Sequence, residues 1–451
     1  MHINNDHIFY HIYPLGACGA PAINDFSSQP IPRLRAVISW LDHIQSLGAN
    51  ALYLGPVFES TSHGYDTANY FEVDRRLGTH EDLAELSAEL HRRGMKLVLD
   101  AVFNHVGRDF WAFQDLLINR QNSPYKDWFC NVNFEQTNAF NDPFCYDCWQ
   151  GYQSLVELNL AHPAVREHLF AAVRSWKERY LIDGLRLDAA DALDLDFLQA
   201  LRTFSNDLDP NLWLMGEVIH GDYRHWANPQ ALHATTNYEL YKSLWSSFND
   251  HNFFELAYSL NRQYGTGGMY AHLPTLYTFA DNHDVTRIAT QLLQPTHLWP
   301  LYTLLFTLPG VPSIYYGSEF GFEGHKGHDD SILRPAFDLA QADLSSQTNL
   351  SSHLAHLAAI RASLPALKVG GYRQLHVSAD QYAFLREEGT QKVVVAVNAS
   401  DQPAQVKLAI PDTSGWRWQD HMNSPDSYTS DAQGCLNFEV SPNWTRILVN
   451  A

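Results

Sequence analysis

Short apolar runs alternate with longer amphipathic stretches from about residue 8 to about residue 365. The runs are rich in Val, Ile, Leu and Tyr, and the stretches between them repeat apolar residues at helical spacing. Such alternation is typical of βα units on a parallel sheet. The predicted strands cover residues 8–13, 51–54, 96–100, 184–188, 213–217, 234–237, 276–282 and 313–316.

The amphipathic stretches predict helices that include residues 34–47, 82–93, 165–180, 195–204 and 298–308. Gly48 and Gly94 follow the first two as helix C-caps, because glycine adopts the left-handed conformation that ends many helices. Eight βα units predict an α/β fold, a (β/α)8 TIM barrel, whose typical ~250 residues tolerate long insertions. We assign this barrel to residues 1–105 and 156–365.

Two segments depart from the βα pattern. Residues 106–155 follow the third strand, are rich in Asn, Asp, Phe and Trp, and show little periodicity, which predicts a loop-rich inserted subdomain. Residues 366–451 change to short alternating segments separated by turn residues. This second pattern predicts a C-terminal antiparallel β-sandwich domain.

The charge balance excludes several classes of partner. The 451 residues include 30 Lys and Arg against 50 Asp and Glu, a formal net charge of −20. Because such a surface repels phosphates and anionic lipid headgroups, we expect no nucleic-acid partner and no membrane partner. The 13% of aromatic residues points instead to sugars, since rings stack on sugars without the basic groove that bases require.

The N-terminus and the cysteines bear on the compartment. Residues 1–6 lack the cationic and apolar regions of a secretory signal, and five cysteines cannot all pair. Both features favour a reducing, cytoplasmic location. Cys145 and Cys148 form a single CxxC, for which loop thiols and a zinc site are both open readings.

Polar residues at the ends of four predicted strands carry the candidate chemistry, because the carboxyl ends of barrel strands meet at one mouth. Taken singly, each carboxylate could cap a helix, each histidine could bond to loop backbone, and the arginine could form a structural ion pair. Their joint occurrence on four strands favours a reaction site. The residues are Asp100, His105, Arg186, Asp188, Glu217, His283 and Asp284.

These strand ends resemble the four signature regions of the α-amylase family of glycoside hydrolases. The matching segments are DAVFNH at 100–105, GLRLD at 184–188, GE at 216–217 and NHD at 282–284, and HGYDT at 63–67 and GVPSIYYGSE at 310–319 are similar too. The resemblance implies that Asp188 is the nucleophile, Glu217 the general acid/base and Asp284 the third catalytic carboxylate of a retaining enzyme. Arg186 would keep Asp188 ionised, whereas Glu217 needs a raised pKa.

The same resemblance implies a set of sugar contacts. Tyr65 would stack on the sugar ring, and His105 and His283 would hydrogen-bond its hydroxyls. His63 in HGYDT and His220 in EVIH at 217–220, a segment that resembles the subgroup's acid region, are further binding residues. Four aromatic residues of the inserted segment are open between outer sugar platforms and core packing. They are Trp111, Phe113, Trp128 and Trp149.

Residues 111–116, 123–129 and 155–159 look most like the neopullulanase, cyclomaltodextrinase and maltogenic amylase group. The likeness implies cleavage of α-1,4 bonds, and also α-1,6 bonds, in short or cyclic malto-oligosaccharides. That group usually carries an N-terminal β domain that helps to form a dimer, but the first predicted strand here begins at about residue 8. The oligomeric state therefore stays open between monomer and homodimer.

We expect no cofactor. Many amylases bind calcium with an asparagine at the position of Asn104, which makes Asn104 a weak candidate for a structural calcium. Calcium needs six or more oxygen ligands, and a supporting role for Asn104 is the alternative.

Three hypotheses for function follow. A retaining α-glucan hydrolase leads, and an α-glucanotransferase or maltosyltransferase would use the same residues. A non-catalytic carbohydrate-binding barrel would have lost at least one of the three carboxylates, yet Asp188, Glu217 and Asp284 are all present.

Overall fold

The computed structural model describes residues 3–273, 275–327, 329–338 and 348–450. The strands are β1 (Phe9–Ile12), β2 (Ala51–Leu54), β3 (Phe58–Ser60), β4 (Thr67–Val73), β5 (Lys96–Ala101), β6 (His105–Gly107), β7 (Leu155–Glu157), β8 (Gly184–Leu187), β9 (Trp213–Gly216), β10 (Ala234–Thr235), β11 (Tyr277–Phe279), β12 (Val311–Tyr315), β13 (Gly371–Val377), β14 (Gln381–Glu388), β15 (Gln391–Asn398), β16 (Ala404–Ala409), β17 (Arg417–Asp420), β18 (Ser427–Thr429), β19 (Cys435–Val440) and β20 (Trp444–Asn450).

The helices are α1 (Pro14–Ala17), α2 (Arg35–Ser46), α3 (His80–Arg92), α4 (Trp111–Asn119), α5 (Pro163–Tyr180), α6 (Leu195–Leu208), α7 (Tyr238–Asn249), α8 (Phe253–Tyr264), α9 (Ile288–Gln291), α10 (Leu298–Thr307), α11 (Thr348–Ser363) and α12 (Pro365–Val369). None of the helices in these described ranges is both long enough and apolar enough to cross a membrane.

Eight parallel strands of the described residues form the predicted barrel. Their order in the sheet is β10-β9-β8-β5-β2-β1-β12-β11, and a parallel bridge between Thr236 and Tyr277 joins the two ends. The backbone amide of Asn237 donates to the carbonyl of Tyr277 at 2.9 Å across this seam. The fold class predicted from the alternating pattern is therefore confirmed.

Local sequence explains where the helices of the barrel begin and end. Thr79 and Asp82 form a reciprocal capping box at the start of α3, which satisfies two backbone amides that have no partner in the helix. Gly48 and Gly94, at φ +80° and +72°, lie just beyond α2 and α3 as predicted. This left-handed conformation is strained for residues with a side chain.

Alternation along the strands separates two cores. Phe9, Tyr53, Val98 and Trp213 pack with one another in a cluster inside the barrel. Their neighbours along each strand, such as Leu52 in β2, join the larger cluster between the sheet and the helices. Because successive strand residues point to opposite faces, polar residues in register with the inner cluster reach the mouth.

The segment after the third barrel strand begins and ends in one antiparallel pair, β6 with β7. Between them, Arg108 binds Asp142 through two nitrogens at 2.6 and 2.9 Å and also reaches the hydroxyl of Tyr146 at 2.6 Å. Its guanidinium lies 4.1 Å from the ring centroid of Phe140. This cluster gives the insertion an ordered framework although its sequence has little periodicity.

In the described C-terminal part, an antiparallel sheet in the order β13-β14-β15-β20-β17-β18 faces the pair β16-β19. Trp418, Leu436 and Phe438 lie in the core between them, whereas Tyr382 and Phe384 belong to the large barrel cluster. The six-stranded sheet is therefore covered on both faces. The sequence pattern missed β13 and β18, since β13 is mostly half exposed and β18 has three residues.

Candidate active site

The parallel register of three strands places the candidate carboxylates side by side. Asp100 in β5 is paired with Arg186 in β8, and Arg186 is paired with Met215 in β9. Asp188 and Glu217 are the first residues after β8 and β9. The strand ends thus bring three acids and one arginine to one side of the barrel mouth.

Arg186 is the centre of this group. Its Nη1 donates to Asp188 Oδ1 at 2.7 Å and to Asp100 Oδ1 at 2.9 Å, and its Nη2 lies 2.7 Å from Glu217 Oε1. All four residues are at least 90% buried. One guanidinium therefore holds three carboxyl groups that water hardly reaches, where charge-assisted bonds are strong.

Burial sets the protonation of the pair that Arg186 bridges. It raises the pKa of Asp188 well above the ordinary value and also raises the pKa of Glu217, and Arg186 lowers both by a smaller amount. Arg186 therefore acts on Asp188 in the expected direction, towards the ionised form, while burial acts in the opposite direction. Carboxyl groups coupled in this way titrate as a pair, and they share a proton more readily than isolated acids.

Glu217 has further contacts beyond the guanidinium. Its Oε2 accepts the backbone N–H of Ala189 at 3.2 Å, and the hydroxyl of Tyr238 lies 3.4 Å from its Oε1. Ala189 follows Asp188 and has a φ of +45°, which is uncommon for a residue with a side chain. This strained position directs an amide at the carboxyl group.

The opposite side of the mouth is formed by the residues after β11. Asp284 is bound by His283 Nε2 at 2.9 Å and by Arg334 Nη2 at 2.8 Å. Burial raises the pKa of Asp284, but the neighbouring His283 and Arg334 outweigh burial and hold it well below the ordinary value. Asp284 is thus ionised while Asp188 and Glu217 compete for a proton.

Tyr65 connects the two sides. Its hydroxyl donates to Asp100 Oδ2 at 3.1 Å and contacts His283 Nε2, while its ring stacks on the ring of His283 with centroids 5.5 Å apart and 7° between planes. Tyr53 donates to the same Asp100 oxygen at 2.8 Å. Asp100 therefore orients Arg186 and Tyr65 from below the mouth.

His105 lies on the nucleophile side. Burial lowers its pKa to about 4, so its ring is neutral near pH 7. Its Nε2 is 3.9 Å from Asp188 Oδ2 and has no hydrogen-bond partner among the described residues. This nitrogen is available for a hydroxyl group placed over Asp188.

The remaining two predicted binding residues are placed differently. The side chain of His63 is 41% exposed, and its Nδ1 lies 3.9 Å from Asp66 at the rim. His220 is exposed, three residues beyond Glu217, and the hydrogen bonds of the described residues include none from His220 to the buried cluster. The structure thus leaves His63 at the edge of the site and His220 outside the cluster.

Sequence reasoning missed three residues of this site. Arg334 contacts Asp284 and stacks 4.6 Å from the ring centroid of Tyr13, and Tyr53 and Tyr238 supply hydroxyls to the carboxylates. Arg334 comes from an irregular segment after β12 with no periodic signal. Tyr53 and Tyr238 look like ordinary core aromatics in the sequence.

Asn104, the candidate calcium ligand, is buried beside His105. Its amide nitrogen lies 3.3 Å from His105 Nδ1, and the residue is 4% exposed. Across the described parts of the chain, no group of three or more His, Cys, Asp or Glu side chains could hold a metal ion. The calcium role of Asn104 and its supporting role both stay predictions.

The four aromatic residues of the insertion divide by exposure. Phe113 and Trp128 are buried, and Trp111 packs edge-on against Tyr125 and Trp128. Trp149 instead lies 5.7 Å from the ring of His105 and stacks on Tyr152, a residue 59% exposed. Among the four candidates, Trp149 is the one next to the barrel mouth.

A (β/α)8 barrel with paired buried carboxyl groups at its C-terminal mouth is typical of glycoside hydrolases. The family model "Alpha amylase, catalytic domain" matches residues 24–358, and "Maltogenic Amylase, C-terminal domain" matches residues 372–443. The chain therefore belongs to the α-amylase family of glycoside hydrolases, as the sequence motifs predicted.

Individual relatives point to one group of this family. A cyclomaltodextrinase from Bacillus sp is 31% identical over 416 residues, covering 87% of this chain and 72% of the relative. An intracellular maltogenic amylase from Bacillus subtilis is 32% identical over 308 residues, covering 67% of this chain and 51% of the relative.

A solved structure extends the likeness over the whole chain. The cyclic α-maltosyl-(1→6)-maltose hydrolase from Arthrobacter globiformis has a TM-score of 0.82 and 28% identity, covering 99% of both chains. The predicted resemblance to the cyclomaltodextrinase and maltogenic amylase group is thus confirmed.

Proposed function

We propose that this enzyme is a retaining hydrolase of α-1,4 glucosidic bonds, with α-1,6 bonds as a second target, in short or cyclic malto-oligosaccharides. The observation that carries the proposal is the single guanidinium of Arg186 between Asp188 and Glu217. Retention needs one carboxylate to attack and one carboxylic acid to protonate the leaving oxygen, both within reach of one glycosidic bond.

In the first step, the ionised Asp188 attacks the anomeric carbon while Glu217 gives its proton to the departing glycosidic oxygen. The bond to the leaving sugar breaks, and an ester bond forms between the sugar and Asp188. Arg186 favours the ionised form of Asp188, and burial favours the protonated form of Glu217.

In the second step, Glu217 accepts a proton from a water molecule that attacks the same carbon. The ester bond breaks, the sugar is released with its original configuration, and Asp188 is again an ionised carboxylate. Glu217 has then returned to the protonated form, so the cycle needs only side chains and water.

In this proposal, three side chains bind the reacting sugar and a fourth extends the binding surface. Asp284, held ionised by Arg334, accepts bonds from sugar hydroxyls that strengthen as positive charge develops on the ring. The free Nε2 of His105 bonds a further hydroxyl, and Tyr65 offers its ring face. Trp149 extends this surface at the rim as an outer platform.

The preference for short and cyclic substrates rests on the named relatives. Two of them are a cyclomaltodextrinase and a hydrolase of a cyclic maltosyl-maltose, and the C-terminal match is to maltogenic amylase. We also propose a cytoplasmic location. The name of the Bacillus subtilis relative and the five free cysteines of this chain support that location.

A product profile tests the proposal. The purified enzyme is incubated with maltotriose, β-cyclodextrin and pullulan, and the products are separated by chromatography, with Asp188→Asn as the inactive control. We expect glucose and maltose from the first two substrates and no product longer than maltotriose from maltotriose itself. Rapid formation of longer chains would instead identify a glucanotransferase, and no cleavage of any substrate would refute the proposed function.

A further inference from the structure

A chain of hydrogen bonds reaches Glu217 from the other side of the mouth. The backbone N–H of Asp284 donates to Asn282 Oδ1 at 2.8 Å, and Asn282 Nδ2 donates to the hydroxyl of Tyr238 at 3.0 Å. The Tyr238 hydroxyl lies 3.4 Å from Glu217 Oε1. Asn282 and Tyr238 are each at least 90% buried.

The direction of this chain follows from its donors. Because Asn282 Oδ1 is occupied by an N–H, its amide NH2 group faces Tyr238. The phenol oxygen then accepts that N–H, which leaves its own hydrogen free to donate. Glu217 Oε1 is the acceptor within reach.

Tyr238 is fixed in this position by its helix. It is the first residue of α7, and the side chain of Asn237 caps the helix by accepting the N–H of Leu240 at 3.0 Å. The ring of Tyr238 packs edge-on against Phe279 of β11, with centroids 4.9 Å apart. The hydroxyl therefore cannot move far from Glu217 without disturbing the helix start.

Occupied lone pairs decide which oxygen of Glu217 carries the acid proton. Oε1 lies 2.7 Å from Arg186 Nη2 and within reach of Tyr238, whereas Oε2 has the longer contact with the Ala189 amide. We propose that Tyr238 is a positioning residue that keeps the acid proton off Oε1 and on Oε2. This inference rests on the proposed role of Glu217 as the acid/base.

Loss of the phenol hydroxyl has a defined consequence for the acid. A donor to the carboxylate form favours that form, so its removal raises the pKa of Glu217 and leaves the proton free to occupy either oxygen. The titratable and charged groups that face Glu217 are Arg186 and Asp188 from β8 and its end, and His283 and Asp284 from the segment after β11. All four stay in place when only the hydroxyl is removed.

Tyr238→Phe tests this role with two substrates that differ in their need for acid. The kcat/KM of maltotriose cleavage requires protonation of a basic leaving oxygen, whereas α-maltosyl fluoride releases a weakly basic ion. We expect a loss of about 10- to 100-fold on maltotriose and less than about threefold on the fluoride. We also expect the basic limb of the pH profile for maltotriose to move up by about half a unit to one unit.

Tyr241→Phe is the matched control. Tyr241 lies on the same helix and stacks on the same Phe279, with centroids 5.3 Å apart. We expect wild-type values with both substrates. Equal losses of Tyr238→Phe on maltotriose and the fluoride, or an unshifted basic limb, would overturn the positioning role. A wild-type enzyme inactive on both substrates would instead refute the proposed function.

Discussion

Arg186 at the barrel mouth and Arg386 in β14 are both almost fully buried, at 2% and 1% exposure, but their partners differ. Arg186 is surrounded by carboxyl groups, whose charges hold its pKa well above the ordinary value although burial acts the other way. Arg386 donates instead to backbone carbonyls, those of Thr307 at 2.6 Å and Gly370 at 2.9 Å.

Arg361 repeats the second arrangement. It donates to the carbonyls of Phe306 at 2.9 Å and Gly310 at 2.6 Å, so two arginines bind the backbone at the end of α10. Burial lowers the pKa of Arg361 to about 10 and that of Arg386 to about 9. At the mouth, one buried arginine holds three carboxyl groups. Arg361 and Arg386 instead form a junction at the end of α10, where they satisfy the orphan carbonyls of the helix end.

The largest expected effect is the loss of activity when Asp188, one of the acids held by Arg186, is replaced. We expect Asp188→Asn to lower kcat on the order of 10⁴-fold or more, since it removes the proposed nucleophile. Because the buried Asp188 carboxyl competes with Glu217 for a proton, its loss should leave the melting temperature unchanged or higher. Hydrolysis of maltotriose and thermal unfolding measure the two quantities. An active Asp188→Asn enzyme would contradict the assigned mechanism.

Replacement of a junction arginine should have the opposite result, a loss of stability with little loss of activity. Arg386→Met leaves two buried carbonyls without donors, and we expect the free energy of unfolding to fall by about 2 kcal/mol. The kcat/KM for maltotriose should stay within about twofold of wild type. Urea unfolding monitors stability, with the exposed Arg417→Met as control. A large loss of activity in the folded variant would show that the junction also serves the site.

The raised pKa values at the mouth predict a pH dependence of stability. A carboxyl whose pKa is higher in the folded state binds more protons there than in the unfolded chain. Its contribution to stability is therefore lost as pH rises from the ordinary carboxyl value of ~4 towards the raised folded value. We expect the melting temperature of an Asp188→Asn/Glu217→Gln variant to gain on wild type as pH rises from 4.5 to 7. A constant difference across this range would argue against buried, coupled acids.

The smallest expected effect is a change in KM when an aromatic residue at the rim of the barrel mouth is removed. Trp149→Ala should raise KM for β-cyclodextrin about fivefold, equivalent to ~1 kcal/mol of lost stacking, with less than a twofold change for maltotriose. Trp416→Phe in the C-terminal part of the chain serves as control. If Trp149→Ala changed neither substrate, the outer platform would be ruled out.

The barrel was predictable because its strands are apolar runs that end in polar motifs. The pair β3 and β4 escaped notice, since its register shifts twice and breaks the alternation of a regular strand. The predicted sixth strand also proved shorter, because the side chain of Asn237 caps α7 and the helix begins at the next residue. The capping hydrogen bond of Asn237 ends the strand at a point that the composition of the segment does not indicate.

The chemistry of the site was predictable from motifs only in part. The residue types and their strand ends placed Asp188 and Glu217 together, but the direction of the Asp188 pKa depends on how deeply both are buried. Arg334 could not have been found, because its contact with Asp284 depends on an irregular segment that returns to the mouth. No periodicity or motif in the sequence marks that segment.

The alternation of side chains in β8 has a consequence for how this chain can evolve. Arg186 in β8 and Asp188 just after it point the same way because they are two residues apart along the chain. Deleting one residue from this strand would reverse every later side chain and turn the arginine or the acid out of the mouth. We therefore expect changes in length to be tolerated in connections such as the segment between β6 and β7, and not within β8.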